Sequence, residues 1–199
     1  MTLSIDTATF FDDRVLKLAV LVKQSLVRLV SDTPAEDILG LGLLTDPAAE
    51  HLAPAIYRRG DHEANLRSAH VRYPDDPVDW DLYLRWSPVE WPHSTTNVPT
   101  AAVPGLATLW DELLARRATA SGVDRTYWPS IMFELAANAL VVLHRDGWFE
   151  EYPHSVHRLQ VVKGRTDKPT RRRWAEQMNT PEHYASYLSH EKQFVGPRR

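Results

Sequence analysis

The sequence predicts an α+β domain, with an antiparallel sheet of about four strands and helices packed mainly on one of its faces. Three observations carry that expectation. Apolar residues recur at three- and four-residue steps in long segments, the signature of amphipathic helices. Between them lie shorter segments of strand character, bounded by Gly, Pro and Asp. The two kinds alternate through 199 residues without a repeat, a flexible linker or a low-complexity stretch. A chain of this length builds one well-packed core more readily than two, so a single domain over residues 1–199 is expected. Its core should span about residues 10–190, with a tail from Gln193 that frays.

The first helix is expected from about Phe10 to Val30. Phe11, Val15, Leu18, Val22, Leu26 and Leu29 form its apolar stripe. Leu16, Val20 and Val27 widen the face expected to be buried, and Thr9 is placed to cap the N-terminus. Ile38–Thr45 follows as a strand, with Leu39, Leu41 and Leu43 on one side and Gly40 and Gly42 on the other, where a neighbour can approach closely. Gly40-Leu41-Gly42 lacks the third glycine and the following helix that a phosphate-binding loop needs. Leu52 to Arg58 is a second extended segment, confined by Pro54 to an edge or a bulge. Arg59 to Pro77 is polar and is expected as a surface excursion with a short helix around Glu63–Ala69. Asp79 to Trp86 alternates strictly, Trp80, Leu82, Leu84 and Trp86 against Asp79, Asp81, Tyr83 and Arg85, and is expected as a strand. His93 to Val103 is expected as a loop. A helix from Pro104 ends near Ala120, with Gly122 as its stop. Another runs from Trp128-Pro129 to Gly147, which caps it. Val156–Val162 is the fourth expected strand. Lys163–Pro169 is a basic loop, Arg171–Met178 a short helix, and Thr180-Pro181 the cap and first turn of the last helix.

Composition excludes several classes. The apolar fraction of 43% and charged fraction of 25% argue against wholesale disorder. A net charge of -3 and a pI near 6.3 predict no general affinity for nucleic acid or anionic membrane, although the C-terminal third is more basic. With no cysteine, disulfides, thiolate metal sites and cysteine nucleophiles are excluded, as suits a reducing compartment. The first residues lack the features of a secretory leader, and no apolar run approaches the ~20 residues that span a bilayer. Cytoplasmic localisation is the expectation.

One segment is more particular than the rest, Trp86-Ser87-Pro88-Val89-Glu90-Trp91. It resembles the Trp-Ser-Pro-x-Glu-Trp hallmark of a bacterial domain-of-unknown-function family of about this size. Leu41 to Asp46, Leu109 to Leu114, Asp146-Gly147-Trp148-Phe149 and Met178-Asn179 extend the likeness over roughly residues 10–190. The Arg59–Pro77 stretch and the Arg171–Arg173 run depart from it. The resemblance implies an α+β fold and no established activity. Families of this kind resemble immunity proteins that accompany bacterial toxins, which is an association rather than a mechanism.

Three function classes remain open from the residues. The first is a non-catalytic protein-binding module, immunity-like in the sense of that resemblance, with an unidentified protein partner. The second is an enzyme acting on a small molecule in a pocket near Arg85, Glu90 and Trp91, where a strand end would offer them to a ligand; the alternative is that the tryptophans and Glu90 are structural. The third is a nucleic-acid binder through the basic segment Lys163, Arg165, Lys168, Arg171, Arg172 and Arg173 with Trp174 beside it. That segment equally suits an acidic protein partner, or pairing with acidic neighbours. No catalytic residue, metal ligand or cofactor is assigned: His-Glu-x-x-His and Gly-x-Ser-x-Gly are both missing, and His62, His70, Asp61, Glu63 and Asp75 are spread over a polar stretch.

Overall fold

A computed structural model describes residues 7–98, 101–119, 122–164 and 166–195. It is a single α+β domain built on a four-stranded sheet of order β3-β2-β1-β4. Helix α1 (Thr7–Val30) leads to β1 (Ile38–Thr45), β2 (Leu52–Arg58) and α2 (Arg59–Arg72). Then come α3 (Trp80–Arg85), a 3-10 turn (Pro88–Glu90), β3 (His93–Ser94), α4 (Pro104–Thr119) and α5 (Gly122–Arg145). Strand β4 (Val156–Val161), α6 (Lys168–Met178), α7 (Pro181–His190) and a π-turn (Glu191–Val195) complete the order.

The strand Ile38–Thr45 lies where its sequence places it and is buried along nearly its whole length. It pairs antiparallel with β2 and parallel with β4, so one pair of the sheet is parallel. A register shift between Ile38 and Gly40 marks a bulge. Bulges reset the side-chain alternation, which is why Leu39 packs on the opposite face from Leu41 and Leu43. In β2 the Pro54 carbonyl accepts from the Thr95 amide at 2.9 Å. Its ring nitrogen faces the same outer side, and the β1–β2 ladder loses no donor.

The strand expected at Asp79–Trp86 is a helix. Asp79 caps it, its carboxylate accepting from the Leu82 amide at 3.0 Å. The alternation over Asp79–Trp86 is outweighed by this N-cap and by the packing of Leu84 and Trp86 on the sheet. The fourth strand is instead the two-residue β3, from the expected loop, paired with Ala55 and Ile56. With Trp80–Arg85 helical, the Trp86–Trp91 turn follows a helix rather than a strand.

Helices cover both faces rather than mainly one. Leu18, Val22, Leu26 and Leu29 of α1 pack with Trp110 and Leu113 of α4, with Met132, Leu135 and Leu140 of α5, and with Leu41, Leu43 and Ile56 beneath. On the other face Leu39, Ala55, Tyr57 and Val156 meet Leu84, Trp86, Trp91 and Tyr187. Helix α2 is a full 14 residues where a short helix was expected. Helix α5 begins at Gly122, expected as a stop, and carries Pro129 inside it. Gly147 ends it at φ 73°, the left-handed conformation glycine adopts without strain. Thr9 lies within α1 rather than ahead of it, and the Phe11 side chain is outside the described residues.

Strand β4 is an edge, and Asn179 closes part of it. Its side-chain carbonyl accepts from the His157 amide at 2.8 Å, and its amide donates to the carbonyls of His157 (2.8 Å) and Ala175 (2.9 Å). One side chain thus supplies the bonds of a further strand at that point and ties it to α6. No helix among the described residues is long and apolar enough to cross a membrane.

Candidate functional site

The tryptophan turn is anchored inward. Trp91 is 2% exposed, stacks on Tyr57 at 5.7 Å between ring centroids and donates its indole N–H to the Leu84 carbonyl at 3.1 Å. Its ring lies flat on Gly40 and Gly42, where added Cβ atoms would come to 2.6 Å and 3.2 Å from it. The close approach that the two glycines announce is therefore made by an indole. Trp86, fully buried, donates to the Ser186 hydroxyl at 2.9 Å. Glu90 accepts from the Tyr83 hydroxyl at 3.2 Å, and burial raises the Tyr83 pKa, with Glu90 adding to it. Arg85 stands 3.9 Å from Asp81, one helical turn away. Asp81 in turn holds the buried His62 at 2.8 Å. At the turn that the enzyme alternative invokes, with Arg85, Glu90 and Trp91, the Trp91 ring lies between turn and sheet against Gly40 and Gly42.

The basic segment is largely engaged within the fold. Helix α6 starts at Lys168, three residues ahead of the expected point, with Asp167 as its cap. Glu191, 1% exposed, meets three cations: Arg172 Nε at 2.6 Å, Lys168 Nζ at 3.5 Å and Arg171 Nη2 at 3.7 Å. Arg173 pairs with Glu134, which also accepts from the Trp174 indole at 3.1 Å. Trp174 is 4% exposed, so its faces are unavailable for stacking bases. Lys163 is exposed with φ 58°, and Arg165 lies outside the described residues. A cavity of about 180 Å³ opens at the start of α6 between Phe133, Glu134, Asp167, Thr170 and Trp174.

The turn and the basic segment converge through residues that the sequence did not single out. From Glu90 the path runs by Tyr83 to His190, their rings 6.4 Å apart. His190 is buried with neither ring nitrogen hydrogen-bonded, and burial, reinforced by Arg158, lowers its pKa to about 3. Arg158 lies over the Tyr187 ring at 5.8 Å. Burial lowers its pKa to about 10, which leaves it charged at neutral pH.

No family model, curated protein or solved structure matches this chain. Its surfaces must be judged by their own chemistry. No group of three His, Asp or Glu side chains suited to a metal ion occurs among the described residues.

Helix α1 carries the surface that sequence reasoning missed. Leu16, Val20 and Val27, expected in the core, are 53%, 54% and 44% exposed. They follow one another along the outer side, opposite the stripe made by Leu18, Val22, Leu26 and Leu29. Lys17, Lys23 and Arg28 are exposed beside them, and the sequence has no acidic residue between Asp13 and Asp32. Lys23 reaches 5.6 Å from the Trp148 ring centroid, and Arg28 donates to the Ala102 carbonyl at 2.9 Å. Lys23 and Arg28 are thereby held beside the apolar row. The signal was present: α1 has more apolar residues than a single stripe can bury.

Proposed function

We propose that this chain is a non-catalytic protein-binding module that docks an acidic partner along the outer side of α1. The observation that carries the proposal is the exposed row Leu16, Val20 and Val27 bordered by Lys17, Lys23 and Arg28. An apolar strip with a charged border is how protein interfaces are built, with the apolar atoms supplying burial and the charges register and encounter rate. A membrane fits less well, because the larger apolar face of α1 is committed to the core and no aromatic side chain stands in the exposed row. Nucleic acid fits less well because phosphates leave the aliphatic row without a partner, and Trp174 is buried.

The resemblance carried by Trp86–Trp91 suggests the more specific form, an immunity-like protein whose partner is a bacterial toxin. Co-purification with the products of neighbouring genes, paired with a growth-protection assay, tests both levels. Stable binding with protection supports the immunity form, and binding without protection supports the module alone. Retention on heparin or anionic vesicles in place of any protein partner would overturn the proposal.

A further inference from the structure

We infer that the partner of α1 presents a single amphipathic helix, which packs along a heptad seam of Leu16, Val20, Lys23 and Val27 and sets a carboxylate opposite Lys23. This rests on the docking reading above and gives that partner its secondary structure and its register.

The exposed side of α1 carries the spacing. Leu16, Val20, Lys23 and Val27 are all exposed and follow one another at steps of four, three and four residues. Those steps repeat the period with which two helices keep one row of side chains between them at a shallow crossing angle. The row extends about 16 Å, roughly three turns. Leu18, Val22, Leu26 and Leu29 on the opposite side are buried in the core, so the row is left to an outside body. A strand laid there would gain none of the main-chain bonds on which strand addition depends, because α1 keeps its own N–H and C=O groups within the helix. A helical partner needs no such bonds and offers side chains at the same period.

Lys23 is the charged member of the seam, and its ammonium is held 5.6 Å from the Trp148 ring centroid. A charge in an otherwise apolar seam fixes register, because one alignment brings it to an opposite charge and the others leave it against apolar atoms. Lys17 and Arg28 stand exposed on one flank, and the sequence has no acidic residue between Asp13 and Asp32. The charge that complements all three cations is therefore supplied by the partner. A second copy of this chain fits worse, since it would lay one cationic stripe against another.

Synthetic peptides of about 14 residues, read by fluorescence anisotropy and by amide shifts along α1, test this. The first carries leucine at the seam positions, glutamate opposite Lys23 and glutamates along the flank. The second adds a central proline, which breaks the helix. The third has lysine in place of the seam glutamate. The first is expected to shift the α1 amides and to bind at least about tenfold more tightly than the other two. The third should regain that affinity on Lys23→Glu. Equal affinity of the first and second peptides overturns the helical partner. A third peptide that binds wild type as well as the first does, or that Lys23→Glu fails to rescue, overturns the register. Failure of all three to bind overturns the inference, while co-purification with neighbouring gene products still reads the docking proposal separately. A dimer in sedimentation that Val20→Glu dissolves would put a second copy on α1 instead, and would overturn it as well.

Discussion

Two glycines and one indole fix the position of the tryptophan turn. A Cβ at Gly42 would stand 2.4 Å from the Arg158 carbonyl oxygen, and one at Gly40 would stand 2.6 Å from the Trp91 ring. Backbone cannot yield as a side chain can, so Gly42→Ala should be the more damaging change. It is expected to cost about 1–3 kcal/mol, with Gly40→Ala at the lower end. Urea midpoints read both. Shortening the ring in a Gly40→Ala, Trp91→Leu double variant should recover part of the Gly40→Ala loss, whereas strict additivity would show that the two sites are not coupled. Close packing above Gly40 and Gly42 was legible in the sequence. That the packing body is Trp91, 49 positions from Gly42, was not, because strand alternation says which side is open and never what arrives there.

At the level of elements, the long ones were legible and the short ones were not. Strand β1 and helices α4 and α7 begin where their residues predict, since each has either a long periodic pattern or a strong cap. The error at Trp80–Arg85 came from weighing the alternation above the Asp79 cap, which settles the segment toward helix. The burial of α1 was overestimated because apolar residues cover nearly all its sides, and composition cannot say which side the sheet meets. Edge protection by Asn179 was equally hidden, because it depends on β4 being the last strand. Asn179→Ala leaves the His157 amide and carbonyl without partners, and it should cost about 2–4 kcal/mol in a urea titration.

Across the molecule, two buried imidazoles link stability to pH. His157 is fully buried, its Nδ1 donating to the Met178 carbonyl at 2.7 Å. Burial lowers its pKa from 6.5 to about 3, as it does that of His190. The unfolded chain therefore takes up two protons below pH 6.5 that the fold refuses. This stability is fully present above pH 6.5 and is lost as pH falls from there toward 3. The slope is up to about 1.4 kcal/mol per pH unit for each imidazole. His157→Gln with His190→Gln should flatten the stability profile between pH 6 and 4, and an unchanged slope would place the proton uptake elsewhere.

The interaction face belongs to the same scale, since it exists only because the sheet claims the other side of α1. Isothermal titration of the wild type and of Val20→Glu against the protein encoded beside it tests the docking proposal most directly. An exposed change of this kind should leave the urea midpoint within about 0.5 kcal/mol of wild type. It should weaken binding about tenfold or more, because a carboxylate then stands in the apolar row and faces an acidic partner. Equal affinity of the two proteins, or no binding by the wild type, would contradict docking through α1.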